Sequence, residues 1–275
     1  MKNLLLYFAL AYGISWLIWA PLWLPHFGVD GVPVVPNQHY LGAFGPLLAA
    51  FIVRYRAEGR PGVRDLAGRM LRWRVAPLWY LVVFGGMFLL FLAGAGLAQA
   101  INGQPITLEG FGTNREFPAL NPAGYFLFNL FTFGIGEETG WRGYALPVLQ
   151  RRFNALGSSL ILAVFWAGWH IPAFFYRPNY SHMGAAEIAG FFLSLLTGCI
   201  VLTWLYNSTG GSILLVALFH AMVEIVFISD NITPEIAAWE GMLFTVAAIL
   251  IVLIVRPAHL SRLFRQQIPA YQNTV

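Results

Sequence analysis

Charge is scarce in this chain. Only 10% of its 275 residues are Asp, Glu, Lys or Arg, against about 25% in soluble domains, and 58% are hydrophobic. An ordinary water-soluble domain is thereby excluded. Cysteine is nearly absent as well. Cys199 stands alone, so neither an intrachain disulfide nor a zinc site built on several cysteines can form. Lying in an apolar run, it reads as a small packed side chain. There is no internal repeat and no pair of inverted halves, which argues against a secondary transporter or proton pathway.

What is present is a series of long uncharged runs. Asn3–Val29, Gly31–Val53, Val75–Leu108, Phe117–Gly136, Asn154–Tyr176 and Ile188–Ser229 contain a single charged residue, Glu224. Each is long enough for one membrane span of about 20 residues, and the last for two, divided at 207-NSTGG-211, a turn-forming cluster. With a final run at 238–255, the expectation is an all-α, polytopic integral membrane protein. About eight transmembrane helices form one bundle, a single membrane domain over 1–275 with a core at 120–230. Loops are expected at 25–39, 56–76 and 101–120. Helix 1 is read as retained, because the stretch before Ala9-Leu10-Ala11 is too short for a signal-peptide core.

The net charge of +4 is a matter of topology. Seven arginines fall between Arg54 and Arg74, two at Arg151 and Arg152, three at Arg256, Arg262 and Arg265; with Lys2 they make 13 of the 16 basic residues. Alternating helices put all of these on one side, leaving Arg115 and Arg177 on the other. That asymmetry predicts a multi-pass protein with both termini in the cytoplasm, in the plasma membrane if prokaryotic. Membrane lipids are the expected partners, and nucleic acid is not.

Against this background 134-GIGEETGWRGY-144 stands out. Counted back at 1.5 Å per residue, Glu137 lies roughly 20 Å above the basic end of helix 4. His170 on helix 5 reaches a similar height, and His220 and Glu224 on helix 7 lie at roughly 14 and 20 Å. Ionisable groups at one depth of a membrane are costly unless paired or facing a wet cavity, so they mark a functional site. Glu138 and Arg142, at i, i+4, form a natural ion pair that supports the site. Glu137, about 100° away on an ideal helix, is left free to act as a general base. Gly136, Gly140 and Gly143 allow a neighbouring helix to approach closely.

The pattern Glu137-Glu138-x-x-x-Arg142, an aromatic four residues before His170, and His220 followed four residues later by Glu224 resembles the type II CAAX prenyl protease family. That family is also called the CPBP intramembrane metalloproteases and takes in bacteriocin-processing and Abi-type immunity proteins. The signatures H-E-x-x-H, Gly-x-Gly-Asp and Gly-x-Ser-Gly are absent. The resemblance implies eight membrane helices and peptide-bond hydrolysis in a cavity open to the cytoplasm, on a peptide or protein whose C-terminus is membrane-proximal or lipidated. It further implies that Glu137 and His170 activate a water, while His220 and the residue four later stabilise the oxyanion. A catalytically silent immunity or scaffolding module on the same fold is the alternative.

Two positions depart from the family. Trp166 replaces the usual Phe, which should preserve a packing wall. Glu224 replaces the usual Asn or Asp. An ionised glutamate would repel an oxyanion that an amide could donate to, so three readings stay open. Glu224 is a neutral acid that donates; or it orients His220 through the other ring nitrogen; or it ligates a divalent metal such as zinc, manganese or iron together with Glu137, His170 and His220.

Overall fold

The computed structural model describes residues 2–268. No strand forms among them, and eight helical rods follow in order: α1 Lys2–Trp23, α2 Gly45–Met70, α3 Pro77–Asn102, α4 at 122–149, α5 Ala155–Trp169, α6 Ala185–Ser208, α7 Ile213–Ile228 and α8 Pro234–Val255. Five helical stretches, namely α1 with the turn after it, α3, α5 extended to Phe175, α6 and α8, are long and apolar enough to cross a membrane, and α7 is a shorter apolar helix. Leu5, Leu17, Leu89, Val164 and Leu253 point outward and exposed, the pattern of rods whose outer faces meet hydrocarbon rather than water. The protein is thus an all-helical, polytopic membrane protein.

Local sequence explains where the central rods begin. Asn121 caps α4 by accepting from Gly124 N at 2.8 Å, and Pro122 follows. Asn154 caps α5 through Gly157 N at 2.7 Å, and Ser212 caps α7 through Leu215 N at 3.2 Å. Each side-chain oxygen satisfies one of the amides that a helix start leaves unpaired. The turn at 207–211 forms as expected, with Gly210 and Gly211 at φ 64° and 83°, a region open to glycine.

The stretch 56–76 differs from the expected loop. Helix α2 bends at Gly59, φ 61° and ψ −146°, and then continues to Met70. Arg54 and Arg69 hold the bend by reaching the same oxygen, Asp65 Oδ2, at 2.8 Å each. A sequence of seven arginines reads as loop by composition, but two of them are buried here and pair internally.

The loops sort into two ends. At the basic end, Ser212 donates to Arg72 O at 2.6 Å, Ala155 N to Ala258 O at 3.1 Å, and Gln150 Nε2 to Gln266 O at 2.7 Å. At the opposite end, Asn231 donates to Thr107 O at 2.8 Å, Gly112 N to Ser229 Oγ at 2.9 Å, and Arg177 pairs with Glu116. Segment 256–268 lies across the basic end, with Leu260 and Ile268 buried.

Rod α4 is the centre of the bundle: every residue from 136 to 150 is buried. It is also irregular, with π-helical turns at Leu130–Glu137 and Trp141–Ala145, a departure that often accompanies functional sites. Close packing explains its glycines. A Cβ on Gly136 would lie 2.8 Å from Ala43 O, one on Gly143 2.6 Å from Ile213 Cδ1, and one on Gly140 2.5 Å from Pro46 O. Backbone cannot yield as a side chain does, so Gly140→Ala is expected to destabilise the protein by about 1–3 kcal/mol. A thermal melt of the purified variant in detergent checks this. An unchanged melting temperature would mean that the α2–α4 crossing is not tight.

Candidate active site

The three rods α4, α5 and α7 bring their polar residues together. Glu137 and Glu138 sit where the first π-helical turn of α4 ends, His170 is the residue that terminates α5, and His220 and Glu224 lie one turn apart on α7. Glu137, His170, His220 and Glu224 all line one cavity of about 940 Å³, together with Trp166, Asn129, Tyr125, Tyr180 and Arg177.

Glu138 is fully buried and stands behind this layer. Its Oε1 accepts from Arg142 Nη1 at 2.8 Å and from His220 Nδ1 at 2.7 Å. The ion pair expected with Arg142 is there, and it carries a second duty that spacing could not show, the orientation of His220. Because a carboxylate accepts, Nδ1 of His220 carries the proton and Nε2 faces the cavity. Glu224 does not orient His220 through the other ring nitrogen, as one sequence reading allowed, because Glu138 occupies it. Glu224 Oε1 lies instead 3.9 Å from Nε2, beyond hydrogen-bond distance.

Trp166 does more than form a wall. Its indole Nε1 donates to Glu137 Oε2 at 2.8 Å, its carbonyl accepts from His170 Nδ1 at 2.7 Å, and its ring lies under the Arg142 guanidinium at 4.6 Å. A carbonyl can only accept, so Nδ1 of His170 is also the protonated nitrogen and Nε2 is free to take a proton. One residue therefore touches Glu137, His170 and Arg142. The sequence signal was the departure from Phe, since indole has a donor that phenyl lacks.

Asn129 was not singled out by sequence, although it precedes Phe133 and Glu137 at intervals of four and all three line the cavity. Cys199 is buried and accepts from Arg142 Nη2 at 3.3 Å. Glu240 on α8 is also buried, against Gly94, but it lies outside the cavity lining.

Among the described residues no three His, Cys, Asp or Glu are gathered so as to hold a metal ion. No step below passes through a metal.

The cavity's mouth is the second surprise. Its walls include Asn114, Glu116, Arg177, Asn179 and Glu187, from the end opposite the basic segments, and none of the arginines of 54–74, 151–152 or 256–265. It also runs between α6 and α8, past Gly190, Ser194, Ala238 and Gly241. The sequence reading expects the cavity to open on the cytoplasmic face; the polar lining residues named here lie at the end of the bundle away from the basic segments.

The segment that builds this site has relatives. Residues 119–226 match the Rce1-like family, described as type II CAAX prenyl endopeptidase Rce1-like. The chain resembles the type II CAAX prenyl endopeptidases. The match spans α4 to α7, the rods that carry Glu137, Glu138, Arg142, Trp166, His170, His220 and Glu224. A protein of Methanococcus maripaludis named CAAX prenyl protease 2 is 28% identical over 219 residues, covering 76% of this chain and 79% of that protein. For an Rce1-like region the wall at Trp166 becomes testable. Trp166→Phe keeps an aromatic ring but removes the N–H from Glu137, and on the endopeptidase reading proposed below turnover should fall about tenfold or more, as loss of a hydrogen bond to a charged group implies. Peptide hydrolysis at saturating substrate measures it, and wild-type turnover would show that the indole only fills space.

Proposed function

We propose that this protein is an intramembrane endopeptidase of the CAAX prenyl protease type, acting on a peptide or protein with a membrane-proximal or lipidated C-terminus. The observation that carries the reading is the convergence of Glu137 and His170, each with one polar atom held by Trp166, on the cavity shared with His220. A water between Glu137 Oε1 and His170 Nε2 loses a proton to Glu137 as its oxygen bonds to the carbonyl carbon. The carbonyl oxygen, now negative, is met by Nε2–H of a doubly protonated His220, whose ring is aimed by Glu138. Glu137 then returns the proton to the leaving nitrogen as the C–N bond breaks. Glu224, at the cavity wall beyond His220, donates as a neutral acid.

The eight rods are proposed to cross the membrane eight times. By the positive-inside rule the basic end faces the cytoplasm, together with the start of α1 at Lys2 and the end of α8 at Val255; the terminal residues 1 and 269–275 lie outside the described ones. The mouth then opens to the other compartment and sideways into lipid, rather than to the cytoplasm. A cysteine at Arg60 should be labelled only from the cytoplasm and one at Asn179 only from outside. The reverse pattern in intact cells would invert the orientation and restore cytoplasmic entry.

Activity is tested with purified protein in lipid, incubated with farnesylated and unmodified Cys-a-a-X peptides, products being read by mass spectrometry. Glu137→Gln should lower turnover by roughly 10²–10⁴-fold, the usual effect of losing a general base, in a protein that remains folded. Glu224→Asn should stay active, and chelators should leave the wild type active. Stoichiometric metal together with a dead Glu224→Asn variant would support metal ligation instead. Absence of cleavage across a broad panel would support the silent module.

A further inference from the structure

Tyr180 is a polar group of the cavity wall that the reaction above leaves unused. It lies on the short helix Pro178–Ser181, in the connection between α5 and α6, and lines the same cavity as Glu137, His170, His220 and Glu224. Among the described residues its hydroxyl has no hydrogen-bond partner. The other two tyrosines of the lining differ: Tyr40 accepts from Arg177 Nη2 at 3.5 Å and Tyr125 from Asn114 Nδ2 at 3.1 Å.

The free hydroxyl sits on a fixed ring. Edge contacts join Tyr180 to Phe174 at 5.3 Å and 74° and to Phe191 at 5.1 Å and 84°. Phe191 meets the His170 ring in the same way, at 5.5 Å and 78°, so Tyr180 is one ring removed from His170. The backbone is held as well. Tyr180 N and Ser181 N both donate to Arg177 O at 2.9 Å, and the fork from Arg177 to Glu116, 2.8 and 3.0 Å, ties this connection to the loop before α4. A donor fixed beforehand needs no reorganisation when charge develops on a substrate oxygen.

The chemistry of the site leaves room for such a donor. His220 meets the carbonyl oxygen with one N–H, an oxygen that has become negative can accept more than one hydrogen bond, and a glutamate stands at position 224 where an amide would have donated. Burial holds the Tyr180 phenol well above the usual tyrosine pKa, with Glu224 and Glu137 near enough to add to the effect, so the proton stays on the hydroxyl. From this placement we infer that Tyr180 is a second oxyanion donor, its O–H meeting the carbonyl oxygen together with Nε2–H of His220. The assignment rests on the endopeptidase reading above. The phenol donates without giving up its proton, so the transfers between water, Glu137 and the leaving nitrogen are unchanged.

Tyr180→Phe keeps both ring contacts and removes only the hydroxyl, so the variant should melt at the wild-type temperature. With full-length protein in lipid and the Cys-a-a-X peptide cut fastest in the panel above, kcat should fall by about 10²–10³-fold, the usual effect of losing one oxyanion donor, while KM stays unchanged. A phosphinate analogue of that peptide, whose charged tetrahedral oxygen stands in for the oxyanion, should bind more weakly by the factor by which kcat/KM falls. Wild-type kcat in Tyr180→Phe, or a rise in KM with phosphinate binding unchanged, overturns the assignment and leaves the endopeptidase reading standing. Absence of cleavage by the wild type overturns that reading and the assignment with it.

Discussion

The site depends on a single buried oxygen, Oε1 of Glu138, which accepts from both Arg142 and His220. A carboxylate and a guanidinium sealed from water are tolerable only because each has the other, and removing one partner of such a buried pair costs about 3–5 kcal/mol. Arg142 is held in turn by the Trp166 ring and Cys199. Glu138 thereby joins α4 to α7 and, through Arg142, to α5 and α6. The same contact that holds the rods together fixes which nitrogen of His220 faces the cavity, so packing and chemistry share one constraint.

That arrangement needs α4 to be surrounded on every side, which is why the rod is irregular and rich in glycine. Neighbouring backbones come within touching distance at Gly136 and Gly140, and the two π-helical turns flank the Glu138–Gly140 segment. The basic end is closed by segment 256–268 and by the hydrogen bonds of Gln150 and Asn207. The cavity is lined instead by residues of the opposite end and of α6 and α8.

Much of this was legible in the sequence. Uncharged runs marked the rods, and the charges that interrupted them marked the site, because hydrocarbon tolerates ionisable groups only where they are paired or used. Glu137, His170, His220 and Glu224 meet at one cavity as their heights along the rods predicted. What spacing could not show were contacts between distant segments. The bond from Glu138 to His220 joins residues 82 positions apart, and nothing in the local pattern says which ring nitrogen it takes. The indole bond from Trp166 to Glu137 was hidden for the same reason. The helical bend at Gly59 was missed because arginine density resembles a loop.

The central claim is that Glu138 acts on the reaction through His220, and a double-mutant cycle measures that most directly. Turnover is compared for wild type, Glu138→Gln, His220→Asn and the double variant, each confirmed to be folded by circular dichroism. If Glu138 works through His220, the double variant falls no further than His220→Asn alone, because the partner it would misalign is already gone. Losses that multiply, so that the double variant is slower by the product of the two single effects, would show that the residues act independently and would contradict the account.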